Sequence, residues 1–231
     1  KPRARTVKLD PKYTSTVSGT TSHYMAPGDF YTIYNLNPLL SNSINGKGVT
    51  IGVLGQTSLA AGNADLTAFR AASGLSSYCV QTSVTSTTCA NQNLPILTLQ
   101  LYGTNPNVVT GDIDEANLDV EWSGAVAPSA NILFIYSGDV LNTSLANAVS
   151  NNLAPILSIS YGLCESNLGV SQLKSYNQTL QQANVQGITI VSAAGDSGAT
   201  DCDTAGLATE GLAVDFPSSS PFVTSAGGTQ F

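Results

Sequence analysis

Five short, uninterrupted apolar runs constrain the fold of this chain more than any other feature. A continuous apolar run, unlike an alternating one, is typical of a strand in a parallel sheet whose two faces are both covered. We therefore predict five buried parallel strands, at Val49–Gln56, Pro95–Tyr102, Asn131–Ser137, Pro155–Gly162 and Ile188–Asp196.

Helix-like segments separate these runs and supply the crossover connections that parallel strands need. Strand–helix–strand units repeated along a chain define a doubly wound α/β domain, whose working residues lie at the carboxyl ends of the strands. Those ends include Ser160–Gly162 and Gly195–Gly198. The predicted helices are Ala64–Ser73, Asp112–Ala127, Thr143–Asn152 and Leu168–Gln186.

The basic residues divide the chain into two parts. Its first twelve residues carry a net charge of +4, and the remainder carries −11. A basic, Pro-containing start of this kind indicates a solvated extension or a processing junction. We predict a basic N-terminal arm, or pro-segment junction, at 1–22 and one domain at 23–231. His23 is the only histidine and has no strand pattern around it, so we expect it in a surface or packing role.

The low content of charged residues narrows the possible functions. Only 10% of the residues are Asp, Glu, Lys or Arg, against a usual share of about 25%. A net charge of −7 argues against binding nucleic acid through a basic face, since phosphate contacts need clustered Lys and Arg. No apolar run approaches the roughly 20 residues of a membrane helix. We expect a protein secreted into an acidic medium, where carboxyl groups are protonated.

Four cysteines indicate a disulfide framework. Cys79, Cys89, Cys164 and Cys202 lack the short Cys-x-x-Cys spacing of zinc or thioredoxin-type centres. Of the three possible connectivities we expect the local one, 79–89 with 164–202. The alternative is four buried free thiols. With a single histidine, a His-rich metal site is excluded.

The segment Gly111–Trp122 concentrates five carboxyl groups on one predicted helix. Glu115 and Asp119 are four residues apart, so they share a helix face, where like charges repel unless they share a proton or serve a purpose. The alternative is an acidic first turn that faces the helix dipole and water. That alternative explains Asp112 and Asp114 better than it explains Glu115 and Asp119.

Gly195–Gly198 reads Gly-Asp-Ser-Gly, the string that surrounds the nucleophile of trypsin-like proteases. That fold consists of two β-barrels and needs a catalytic histidine. The alternating strands and helices contradict an all-β fold, and His23 lies in the N-terminal arm. We reject this interpretation.

The order of the motifs resembles a different class of peptidase. A subtilisin would carry an Asp where this chain has Gly55-Gln56-Thr57, and a His on the next helix, where this chain has Glu115 and Asp119. That combination resembles the sedolisins, the serine-carboxyl peptidases. Five segments resemble this family in the same order along the chain: His23–Asn35, Asp114–Trp122, Ile156–Gly162, Ala193–Gly198 and Phe216–Thr229.

The resemblance implies a subtilisin-like fold and an acid-acting serine-carboxyl endopeptidase of protein or peptide substrates. It makes Glu115 the general base, Asp119 the residue that orients Glu115 and shares its proton, and Asp196 the oxyanion stabiliser. Ser160, Tyr161 and Gly162 would pair with the substrate main chain. A carboxylate base works near its own pKa, and a carboxyl group donates to an oxyanion only while protonated, so both roles need acid.

The family's nucleophile lies in a Gly-Thr-Ser-type motif that this chain does not contain. We therefore interpret 23–231 as the N-terminal portion of a catalytic domain. We expect a second chain of the same processed precursor to supply the serine and the ligands of a calcium ion.

Two hypotheses from other classes stay open. One is an inactive fragment or peptide-binding module that keeps the groove without the chemistry. The other is an acid glycosidase that uses Glu115 and Asp119, although carboxyl groups one helical turn apart are closer than such a pair requires. The sequence also leaves open whether cleavage is internal or releases tripeptides.

Overall fold

The computed structural model describes residues 13–59, 64–90, 92–203 and 208–229. Its helices are α1 (Pro27–Ile33), α2 (Asn37–Ser41), α3 (Ala64–Ala72), α4 (Ile113–Val126), α5 (Ala146–Ser150) and α6 (Val170–Val185). Its strands are β1 (Tyr13–Val17), β2 (Thr20–Tyr24), β3 (Thr50–Gly55), β4 (Cys79–Gln81), β5 (Ile96–Leu101), β6 (Asn131–Tyr136), β7 (Ile156–Ile159), β8 (Leu163–Cys164), β9 (Thr189–Ala193), β10 (Asp215–Phe216) and β11 (Thr224–Ala226).

Seven strands form one parallel sheet in the order β11-β9-β7-β3-β6-β5-β4. The five predicted strands are its contiguous centre. The two strands that the apolar runs did not predict, β4 and β11, are the edges and have three residues each. Edge strands this short carry too little apolar sequence for a pattern to show.

Each face of the sheet is covered by its own apolar layer, which confirms the doubly wound α/β class. On one face Phe134 and Leu97 pack with Ala116 and Val120 of α4. On the other face Leu157 and Ile190 lie in one core with residues of α5 and α6, among them Val149 and Leu180. Burial on both faces is the reason that the central strands are apolar without alternation.

The predicted helix Thr143–Asn152 begins earlier than expected. A π-helical segment, Val140–Leu145, precedes α5, and Asp139 caps it by accepting a hydrogen bond from the Asn142 N–H at 2.9 Å. An Asp at the N-cap satisfies an otherwise unpaired backbone donor, and this cap fixes the true start of the helical segment.

An antiparallel hairpin, β1 and β2, precedes the sheet, and the expectation that His23 lies outside any strand was wrong. His23 lies in β2 opposite Thr14, with 3.0 Å between the Thr14 Oγ1 and the His23 Nδ1. It is exposed, as a surface role requires. The predicted boundary between 22 and 23 falls within β2, and 1–12 lie outside the described residues.

No helix in the described part of the chain is both long enough and apolar enough to cross a membrane.

Candidate active site

A cleft at the carboxyl ends of the central strands brings together residues from three of the predicted motifs. Its cavity has a volume of about 480 Å³ and is lined by Glu115, Ser160, Gly162 and Asp196. Helix α4 supplies Glu115, the segment after β7 supplies Ser160 and Gly162, and the turn after β9 supplies Asp196. Parallel strands end at the same edge of a sheet, and for this reason residues 81 positions apart in sequence share one cleft.

Helix α4 forms one wall of the cleft. Its buried residues Ala116 and Val120 pack onto the sheet, which places the neighbouring positions 115 and 119 toward the strand ends. The Ser160 hydroxyl donates to Asp119 Oδ1 at 2.8 Å. This bond joins the predicted carboxylate helix directly to the predicted substrate-binding segment.

Asp119 is held in surroundings that favour its protonated form. Burial raises the pKa of Asp119 to about 6, the Glu115 charge raises it further, and the Ser160 hydrogen bond lowers it. Its second oxygen, Oδ2, is buried and has no hydrogen-bond partner among the described residues. Since a buried oxygen without a partner is costly, a protonated Asp119 that donates to a neighbouring carboxylate would relieve the cost.

The segment Ser160–Gly162 lies beyond the end of the sheet, and the prediction of a strand through Gly162 was wrong. The ladders of β7 end at Ile159, which pairs with Leu54 and Ser192. Within the described residues, no main-chain hydrogen bond joins the N–H or C=O groups of 160–162 to other backbone. The difference matters for function, because a free run of main chain can pair with an added strand.

Tyr161 lines a second cavity, next to the first. This cavity has a volume of about 270 Å³ and is also lined by Gln56, Asn142 and Tyr176, and Gly162 lines both cavities. Burial raises the pKa of Tyr161 to about 12, so it stays protonated at any pH at which the protein is expected to work.

The turn after β9 forms the opposite wall. Asp196 is exposed at the cleft, and the Ser197 hydroxyl donates to the Asp203 carbonyl at 3.1 Å. Ser197, the serine of the rejected Gly-Asp-Ser-Gly interpretation, therefore holds the turn together.

The structure contains both disulfide bonds in the expected pairing. Cys79–Cys89 has a Cα–Cα distance of 5.8 Å and lies at the β4 edge of the sheet. Cys164–Cys202 has a Cα–Cα distance of 5.0 Å, and both of its cysteines line the cleft. The second bond joins β8, which follows the predicted substrate-binding segment, to the turn that carries Asp196.

Two further carboxyl groups, Asp201 and Asp215, line the cleft and were not predicted from the sequence. They are 14 residues apart, and they meet because β10 pairs with β8, where Asp215 lies opposite Cys164. The signal that could have found them is the pair Gly162 and Gly195. A Cβ on Gly162 would overlap the Asp215 carboxyl, and one on Gly195 would overlap the Asp201 carboxyl.

The described residues contain no group of three or more His, Cys, Asp or Glu side chains arranged to hold a metal ion.

Comparison with known proteins identifies relatives in several organisms, although no protein-family model matches the chain. Kumamolisin of Bacillus sp. (strain MN-32) is 34% identical over 132 residues, which are 54% of this chain and 22% of that protein. Sedolisin of Pseudomonas sp. (strain 101) is 28% identical over 225 residues, 93% of this chain and 35% of that protein. Tripeptidyl-peptidase 1 of Bos taurus is 33% identical over 126 residues, 51% of this chain and 22% of that protein.

A solved structure shows the same architecture. The structure of Pseudomonas sedolisin, a serine-carboxyl proteinase complexed with two molecules of pseudo-iodotyrostatin, matches with a TM-score of 0.67 at 25% identity. The match covers 88% of this chain and 53% of the sedolisin chain. The present chain thus spans about half of the solved relative, and between 22% and 35% of the curated ones.

The parallel sheet and the cleft at its carboxyl edge define an α/β protein of the subtilisin-like class. Within that class, the relatives and the solved structure agree on one group. The chain belongs to the sedolisin family and covers part of its catalytic domain.

Proposed function

We propose that this chain is the N-terminal portion of an acid-acting, secreted serine-carboxyl endopeptidase. The observation that carries the proposal is the convergence of Glu115, Ser160, Gly162 and Asp196 on one cavity. The hydrogen bond between Ser160 and Asp119 supports it. The two disulfide bonds favour an extracellular location, since such bonds persist in oxidising compartments.

In the proposed reaction, a serine from the remainder of the enzyme attacks the scissile carbonyl, and Glu115 takes the hydroxyl proton. Asp119 shares a proton with Glu115 and so stabilises each of its charge states. The oxyanion of the tetrahedral intermediate accepts a hydrogen bond from protonated Asp196. Glu115 then returns the proton to the leaving amine, and water hydrolyses the acyl-enzyme by the reverse sequence.

The substrate would bind as an added strand along Ser160–Gly162. The unpaired main chain of this segment supports that role, because main-chain hydrogen bonds supply affinity that does not depend on the substrate sequence. The neighbouring cavities would then receive its side chains.

Replacing the proposed base tests the reaction. In the complete enzyme, Glu115→Gln should lower kcat/KM for peptide hydrolysis near pH 3–4 by roughly 10² to 10⁴-fold, the usual contribution of a general base. Glu121→Gln is the matched control, since Glu121 lies on the same helix but does not line the cleft. It should change kcat/KM by less than about threefold. Undiminished cleavage by Glu115→Gln would remove the proposed base and favour a peptide-binding module.

We further propose that a second chain of the same precursor supplies the nucleophilic serine and the calcium ligands. The chain spans 22% of kumamolisin and 35% of sedolisin, and the number of polypeptides in the active enzyme tests this proposal. Intact-mass spectrometry of active material should show a second polypeptide beside this one. An active sample that contains a single species of 23.8 kDa would contradict it.

A further inference from the structure

A pair of carboxyl groups, Asp201 and Asp215, lies between the proposed substrate-binding segment, Ser160–Gly162, and the turn after β9, and has no part in the proposed reaction. Asp215 is only 6% exposed, and the side chains of Asp201 and Asp215 both lie against Gly195, so they are neighbours. Asp215 reaches the site on β10 and Asp201 on the turn after β9. The contact therefore connects two segments that are not neighbours in the main sheet.

The two carboxyl groups fill the space that two glycines leave open. The Asp215 carboxyl packs where a side chain at Gly162 would lie, and the Asp201 carboxyl packs where one at Gly195 would lie. The position of a Cβ on Gly195 is also only 3.3 Å from the Asp215 Cβ. Gly162 belongs to the proposed substrate-binding segment and Gly195 directly precedes Asp196, so the pair lies against the backbone of both segments.

Apart from this pair, few contacts join the turn after β9 to the substrate-binding segment. Within the described residues, no hydrogen bond joins 195–203 to 160–164; the covalent link is Cys164–Cys202. Asp201 and Cys202 are adjacent, and Asp215 lies opposite Cys164. The disulfide bond and the carboxyl pair thus form two neighbouring connections between the same segments.

The charges around the pair make the ionisation of both groups unfavourable. Asp196 and Asp201 face Asp215 from the turn after β9, while Glu115 and Glu165 line the cavities on either side. Neither cavity has a Lys, Arg or His in its lining. Two adjacent carboxylates without a counter-charge cannot both be deprotonated at moderate cost, so one of them retains a proton.

We propose that Asp201 and Asp215 share one proton and that this acid pair positions the oxyanion turn against the substrate-binding segment. The inference rests on the proposed function for its catalytic consequence. Burial, with the charge and hydrogen bond of Asp201, raises the pKa of Asp215 to about 7. In acid, the shared proton links the turn after β9 to the substrate-binding segment. Loss of this proton leaves two negative charges between the two segments. The pair is therefore a positioning element that operates only in acid.

Two substitutions separate positioning from charge. Asp215→Asn keeps the shape and the hydrogen bond without the titration, so kcat/KM at pH 3–4 should stay within about threefold of the wild type. Asp215→Ala removes the connection, and kcat/KM should fall at least tenfold, with a raised KM because the substrate-binding segment loses its support. Equal activity of the Asn and Ala variants, measured below their unfolding temperatures, would overturn the positioning role.

Carboxyl ¹³C NMR of the aspartate-labelled protein tests the shared proton without any enzymatic assay. In the wild type, the Asp215 resonance should titrate in two macroscopic steps, as a coupled group does. In Asp201→Asn, Asp215 should titrate in a single step. A single-step titration of Asp215 in the wild type would overturn the shared proton. A protein that shows coupled titration but hydrolyses no peptide would keep the pair and refute the proposed function.

Discussion

Helix α4 holds Glu115 and Asp119 through regular secondary structure, whereas Asp196 lies in a turn held by a disulfide bond and side-chain contacts. The helix has 14 residues and buries Ala116 and Val120 against the sheet. Its far end is fixed by buried Arg70, which donates to the Gly124 carbonyl at 3.1 Å and to the Pro128 carbonyl at 3.2 Å.

The turn after β9 has no comparable support from a helix or a long strand. The strand that follows it, β10, and the partner of that strand, β8, have two residues each, and an isolated bridge, Thr200 to Ala213, is its other ladder contact. Asp203 adds local order, because its Oδ1 accepts from the Thr209 N–H at 2.7 Å and the Glu210 N–H at 3.1 Å. One wall is thus positioned by the packing of a helix on the sheet, and the other by cross-links between short segments.

The largest expected effect comes from removing the cross-link of the turn. By loop-closure entropy, replacing Cys164 and Cys202 with Ser should lower the free energy of unfolding by about 4 kcal/mol, because the bond closes a loop of 38 residues. The same change at Cys79 and Cys89, which close a loop of 10 residues, should cost about 3 kcal/mol. Denaturant unfolding measures both.

Activity distinguishes the two bonds more sharply than stability does. Only Cys164–Cys202 lines the cleft, so its removal should lower kcat at pH 3–4 well beyond the effect of the Cys79 and Cys89 change. Equal losses of kcat in the two variants would contradict a specific role of Cys164–Cys202 in positioning the turn after β9.

The pH dependence of stability should favour acid. Burial raises the pKa of Asp119 to about 6 and, with nearby Asp65, that of Glu121 to about 7, while the pKa of Asp215 lies at about 7. Between pH 4 and 7 the native state then binds more protons than the unfolded state, so the free energy of unfolding falls as the pH rises.

The expected loss of stability is on the order of a few kcal/mol between pH 4 and 7.5. Asp203 acts in the opposite sense. The backbone hydrogen bond from Thr209 is the main cause that lowers the pKa of Asp203, and its contribution is lost in strong acid. Thermal unfolding at successive pH values checks both, and a Tm that rises steadily from pH 4 to 7.5 would contradict the prediction.

The difference between the walls also explains what the sequence could predict. Burial on both faces makes the central strands apolar throughout, and the one-turn spacing of Glu115 and Asp119 is visible in any helical pattern. Both features are local in sequence, so the central strands of the sheet and the carboxylate helix could be predicted from the sequence. The cross-linked wall depends on two-residue strands and on Asp201 meeting Asp215 across a loop. No local pattern in the sequence predicts that contact. The glycines at 162 and 195 are consistent with it, because a side chain at either position would overlap one of the two carboxyl groups.

The smallest expected effect concerns the single hydrogen bond between the α4 wall and the substrate-binding segment. The Ser160 hydroxyl lowers the pKa of Asp119, so Ser160→Ala should move that pKa above its present value of about 6. The hydroxyl stabilises the ionised carboxylate. The substitution should therefore cost about 1–2 kcal/mol of unfolding free energy at pH 8, where Asp119 is charged, and less at pH 4, where it is protonated.

Ser192→Ala on the adjacent strand β9 is the matched control for this bond. Ser192 is 1% exposed, and its hydroxyl makes one long contact, 3.5 Å, to the Ala193 carbonyl. Because that acceptor does not titrate, the cost of Ser192→Ala should be the same at both pH values. A pH-independent cost for Ser160→Ala as well would contradict the prediction, because it would show that the hydrogen bond does not depend on the charge of Asp119.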